Sequence, residues 1–262
     1  PLSAPACPFC NAVSQTLSEE IASMDAAVIA RLVRAPDVAP GGSAAAEVPK
    51  GEFEIVHVIK GRAAVGATKT IQAVSFGELN AGDMFLIMGV DPPKIAWSTP
   101  LHVSDRAVDY LQKLPGLPEK GPDRLAFFQQ YFEDEDELLA RDAYDEFARA
   151  PYSDVQALKD RIDHDQIVAW IKNPDTTISH RRLYLVLLSA CGSEKDLPLL
   201  EQMLRSEDRK DRAGLDAMLG CYLMLAGPDG MPLVEDLFLK NGEAEYADTY
   251  AAILNELGHL IH

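Results

Sequence analysis

The feature that most constrains this chain is a segment that occurs twice. Leu187–Leu204 and Leu223–Leu239 each close an apolar stretch, turn through glycine, meet a proline and enter a second apolar stretch. Pro198-Leu-Leu-Glu aligns with Pro232-Leu-Val-Glu at an offset of about 34 residues, the spacing of helical-hairpin repeats. A single helical pair cannot bury its apolar face alone. A chain that repeats the pair must therefore stack neighbours around a shared core.

Everything beyond Pro122 reads as helical. The pattern predicts helices over 122–132 and 135–150, with Leu138, Leu139, Ala143, Phe147 and Ala148 turned inward in the second. Two short helices follow near 154–162 and 165–172, then longer ones over 179–190, 197–205, 212–226, 232–239 and 245–260. Pro122 suits a first helical turn, and Pro151 stops the helix before it.

The front half has a different rhythm. A helical stripe of Val13, Leu17, Ile21 and Met24 precedes β-branched runs at 26–33, 52–59, 69–76 and 83–90, with a fifth strand expected over 95–103. In 52–59 the alternation puts Phe53, Ile55, His57 and Ile59 on one side, and Lys60-Gly61 turns the chain. The stretch 37–51, with Pro40-Gly-Gly and Pro49-Lys-Gly, is a loop signal. Ser104 caps a helix to Leu114, and Leu114–Pro122 is the clearest domain boundary. The fold class expected is α+β in two domains: a small antiparallel β-barrel over 1–116, then an α-helical repeat array over 117–262.

Charge narrows the partners. The chain carries a net −17, with 9 basic against 12 acidic residues in 1–116 and 15 against 29 in 117–262. So acidic a second half repels phosphate backbones and anionic lipid, so nucleic acid is not expected as a partner. No apolar run in the sequence approaches the ~20 residues needed to cross a bilayer, so membrane insertion is not expected either. The chain begins with Pro1 rather than Met, which fits loss of a secretory signal and a secreted or periplasmic location.

Two family resemblances attach to these residues. The region from Arg124 onward resembles HEAT-type repeats, with two strong copies at the duplicated segment and a divergent pair at 124–150. Such solenoids serve mainly as binding scaffolds. The front half resembles netrin-like or metalloproteinase-inhibitor-like OB modules. The matching features are Cys7-Pro-Phe-Cys10, the helix around Ser18–Asp25, the strand Ala27–Val33 and Phe53–Gly61. Those modules tie N-terminal cysteines to partners later in the barrel, whereas this chain has no cysteine between Asn11 and Ala190. Inhibitory members chelate a protease zinc through an N-terminal cysteine amine, and here Cys7 is internal. The two-part layout is similar to that of uncharacterised bacterial secreted proteins.

Cys7-Pro8-Phe9-Cys10 is the one chemically suggestive motif. A Cys-x-x-Cys ahead of a helix can stabilise a thiolate, and glutaredoxin-like proteins use the same tetrapeptide. A local disulfide, a redox pair, half of a ligand site and idle thiols all fit. Cys191 and Cys221, on apolar stretches of neighbouring repeats, read as small buried hydrophobes or as an inter-repeat disulfide. Glu133–Glu137 lacks the spacing of a calcium loop and reads as a solvated turn favouring the next helix. The histidines are scattered, Trp97 and Trp170 read as packing, and no catalytic, metal or cofactor motif is present. These features point to a non-enzymatic binding or scaffold protein with a protein partner. The alternative is a thiol-disulfide or metal-handling protein using Cys7 and Cys10. Protease inhibition through the barrel edge is a third reading.

Overall fold

The computed structural model describes residues 14–36, 48–77 and 79–240. Cys7, Cys10, most of the expected 37–51 loop and the helix expected over 245–260 lie outside the described residues. The fold is α+β: a nearly closed antiparallel sheet in the first half and a helical second half. Two compact units are distinguished. One comprises Gln15–Leu117 and Glu133–Asp142; the other comprises Ser14, Pro118–Phe132 and the chain from Ala143 onward.

In the sheet unit, helix α1 (Leu17–Ser23) starts at Thr16, whose side chain accepts from the Glu19 N–H while the Glu19 carboxylate accepts from the Thr16 N–H. The strands are β1 (Ala26–Arg34), β2 (Lys50–Lys60), β3 (Thr70–Val74), β4 (Met84–Val90), β5 (Ala96–Trp97) and β6 (Leu101–Val103), with a one-turn helix α2 (Arg62–Val65) between β2 and β3. The order is β3-β2-β1-β4, and β5 and β6 share the far edge of β4. β3 also meets β5, which nearly closes the sheet. Alternate residues of β1 (Ala26, Val28, Ala30 and Leu32) join Phe53, Ile71, Phe85 and Ile87 in one core. Phe53 and Phe85 meet edge to face at 5.4 Å. The intervening Ala27 and Ile29 are buried as well, so β1 is the spine of the unit. Gly61 leaves β2 with a φ of 75°, and a Cβ there would fall 2.2 Å from the Asp25 carbonyl oxygen, so only glycine serves.

Two expectations need correction here. His57 does not share the face of Phe53 and Ile55. Ile29 pairs with His57 but Ala30 pairs with Ile55, so Val56 is the extra residue of a bulge. The bulge shifts the alternation by one, exposing His57 and turning Val58 toward the core. The single strand expected over 95–103 is two short strands separated by Ser98–Pro100, where proline cannot donate to a ladder.

Helix α3 (Asp105–Lys113) begins at Ser104, which accepts from the Ala107 N–H. The acidic run joins this unit, and it is more than a solvated turn. The Asp134 side chain is 4% exposed and pairs with Arg106 at 2.6 Å; Asp136 accepts the Ser104 hydroxyl and the Leu138 N–H. Burial raises the Asp134 pKa, but the Arg106 hydrogen bond, the Asp136 N–H and the charge of Arg106 outweigh it and hold the carboxyl below its usual range.

Asp142 lies further along, in the segment of α5 that belongs to this unit. Its carboxylate accepts from the Leu17 N–H at 2.7 Å and the Tyr110 hydroxyl at 2.5 Å, tying together α1, α3 and α5. It is 4% exposed.

The helical unit contains α4 (Pro122–Phe128), the later part of α5 (Glu137–Arg149), α6 (Tyr152–Ala157), α7 (His164–Lys172), α8 (Ile178–Cys191), α9 (Leu197–Arg205), α10 (Leu215–Ala226) and α11 (Met231–Val234), which runs on as a π-turn to Leu239. α8 packs between α7 and α10, and α9 packs on α10. Phe132, Phe147, Trp170 and Tyr184 form an aromatic centre; Trp170 stacks on Tyr184 at 4.9 Å. The duplicated segment is duplicated in structure too. α8 and α10 both end at a glycine, Gly192 or Gly227, followed by a 3-10 turn and then a helix with proline at its second position. In the second copy the turn follows α10 and precedes α11 with no coil residue between them. Leu215–Phe238 forms one helical run long and apolar enough to cross a membrane by length and composition, with 50% of its most apolar window buried inside the protein. The sequence expectation of no such run is corrected accordingly, because Pro228 and Pro232 lie in first turns where proline is tolerated.

Asp142→Ala is expected to lower stability by roughly 2–4 kcal/mol, since it orphans a buried hydroxyl and a helix N–H. Asp142→Asn should cost less. Urea unfolding of both variants checks this, and equal stability of Asp142→Ala and the native chain would contradict it.

Candidate functional site

Where α7 ends, α8 begins and α9 runs into the loop 206–214, the helical unit forms a half-open cavity of about 550 Å³. Asp163 starts α7 by accepting from the Gln166 N–H, and Asn173-Pro174 ends it. Thr177 starts α8 by accepting from the His180 N–H. Arg181, in the first turns of α8, is 3% exposed. Its Nη2 donates to the Asn173 carbonyl at 3.0 Å, and its Nη1 donates to the Lys210 carbonyl. One guanidinium thus ties the end of α7 and the 206–214 loop to α8. Its Nε is buried without a hydrogen-bond partner. Burial lowers the Arg181 pKa from its ordinary value, and the nearby Asp211 carboxylate partly offsets this.

The loop is folded on itself. Ser206 donates to Asp211 at 2.7 Å and accepts from the Asp208 N–H, while Asp208 accepts from the Lys210 N–H at 2.8 Å. Lys172 ends α7, Arg205 ends α9, and together with Arg181 and Lys210 they line the cavity; Asp211 is the one carboxylate on its wall among the described residues. Ile171, Pro174, Leu199 and Met203 supply an apolar wall. The site joins cationic groups to an apolar surface, which suits binding of a charged amphiphilic group.

The thiols that the sequence singled out in this half lie elsewhere. Cys191 and Cys221 are free, on α8 and α10. Burial pushes the Cys191 thiol up to about 11, and burial pushes Cys221 higher still. This is the opposite of an activated thiol. Among the described residues no group of three or more His, Cys, Asp or Glu side chains could hold a metal ion. His164, at the start of α7, contacts Asp165 at 3.1 Å and the buried Asp196 at 2.9 Å. The Asp165 hydrogen bond, opposed by burial and reinforced by Asp196, raises the His164 pKa. Trp170 packs in the aromatic centre and Trp97 against the sheet core.

Sequence reading did not find the cavity. Its cations are spread over three helices and a loop, and nothing in their local spacing marks them. The signal that could have been used is Arg181 itself: a cation in the first turns of a helix, where the dipole disfavours it, followed by an apolar run that must be buried. No protein-family model and no curated protein matches the chain.

Two outcomes are expected. With iodoacetamide at pH 8, Cys191 should react slowly and Cys221 only on unfolding; rapid alkylation of Cys221 in the folded chain would contradict its burial. The His164 contact should stabilise the fold fully below about pH 6.5 and lose its effect as pH rises through the raised folded-state value. Thermal midpoints of the native chain and His164→Gln should therefore differ most in mild acid and converge in alkali.

Proposed function

We propose that the protein is a non-enzymatic binding or scaffold protein whose helical half receives a partner. The observation that carries this reading is the cavity at the ends of α7 and α9, where four cationic side chains meet an apolar wall in a chain of net charge −17. The like sequence of glycine, 3-10 turn and proline-bearing helix after both α8 and α10, with α10 packed on α8 and α9, supports a HEAT-like account of the helical unit, an architecture that presents binding surfaces. The pairing of β1 with both β2 and β4, and the approach of β3 to β5, support an OB-like account of the sheet. A thiol-disulfide role would rest on Cys7 and Cys10, because burial raises the pKa of the other two cysteines.

Capture of partners from a bacterial envelope extract by the full chain tests the reading. A saturably bound protein should be retained by the Cys7→Ser, Cys10→Ser double variant and lost from a variant carrying Lys172→Glu, Arg205→Glu and Lys210→Glu. Loss on removing the two cysteines, together with cysteine-dependent reduction of insulin disulfides, would replace it with the thiol reading.

A further inference from the structure

We infer that the cavity recognises an oxyanion, carboxylate or phosphate, carried on a small apolar body. The inference rests on the reading of this cavity as a binding site and adds the chemistry of what it takes. Lys172 and Arg205 have an ordinary explanation, since cations at the C-terminal ends of helices complement the dipole. Arg181 and Lys210 do not share it. Arg181 sits at the opposite end of its helix, where the dipole opposes a cation, and it is nearly withdrawn from water.

A buried guanidinium is costly unless charge and hydrogen bonds compensate it. Two backbone carbonyls accept from Arg181, its Nε has no partner, and the carboxylate beside it, Asp211, shares itself with the Ser206 hydroxyl. The wall holds four cations against one carboxylate. The C-terminal ends of α7 and α9 subtract about half a charge each. The balance remains positive, and low-dielectric walls focus it on the cavity interior. The rest of the chain is acidic, so this is a local reversal of sign.

Two features limit the ligand. A volume of about 550 Å³ suits one small molecule or the last few residues of a peptide. Ile171 and Met203, both buried, give it an apolar side, so a bare inorganic ion would leave that wall unused. Arg205 and Lys210 are exposed at the rim and can meet the oxyanion, while Arg181 fixes the Lys210 backbone from below.

Octanoate, octyl phosphate and the neutral octanamide, titrated into the full chain by calorimetry, provide the test. Octanoate or octyl phosphate should bind saturably, and the stronger of the two identifies carboxylate or phosphate as the preferred head. Octanamide should bind at least tenfold more weakly. The Arg205→Glu, Lys210→Glu variant should lose at least tenfold in affinity while still unfolding cooperatively, with the small fall in thermal midpoint that a carboxylate at the C-terminal end of α9 brings. The milder Arg205→Gln, Lys210→Gln pair should move the same way by less. Equal binding of octanamide would overturn the oxyanion while leaving a binding cavity. Unchanged affinity in both variants, or no saturation by any probe at millimolar concentration, would overturn the inference. Partner capture lost in the cavity variant would still sustain the broader binding role.

Discussion

A buried ion bonded to distant backbone sets the geometry in both units. In the helical unit it is Arg181, which donates to the carbonyl of Asn173, just past the end of α7, and to a carbonyl of the 206–214 loop. In the sheet unit it is Asp142, which accepts from the first N–H of α1 and from Tyr110. Helix ends leave orphan groups that water normally satisfies. A withdrawn charge placed against such an end satisfies it without water and fixes where the helix stops relative to its neighbours. Arg124 and Glu146, paired at 2.6 Å with 15% and 7% of their side chains exposed, act similarly between α4 and α5. Paired or hydrogen-bonded charges of this kind are expensive to break from one side.

The helices were legible because glycine and proline punctuate them. The expected 165–172, 179–190 and 197–205 differ from α7, α8 and α9 by a residue at most. The strands were legible as blocks, because β1 is an apolar run and β4 another. What a linear pattern could not carry was the phase within a block. The bulge at Val56 is a pairing event between two strands, and nothing in β2 alone announces it. The division of 95–103 into β5 and β6 likewise depends on two different points of β4. The acidic run misled because its composition suggests solvent, whereas Asp134 and Asp136 meet Arg106 and Ser104 from thirty residues away. The cavity was invisible for the same reason.

Charge is organised, not merely abundant. Among the described residues the acidic side chains of the second half are mostly exposed, on loops and turns as well as helices, while cations gather where α7, α9 and the following loop converge. The cysteines of that half are withdrawn from chemistry by burial.

The bulge in β2 has a consequence for how the sheet assembles. A plain two-residue alternation lets a strand slide past its neighbour and find a second, wrong seat. Here Phe53 and Val58, five residues apart, reach the same core only because the extra residue lies between them: an alignment without the bulge turns one of the two out to water. The irregularity behaves like the notch of a key, admitting one alignment of β2 against β1.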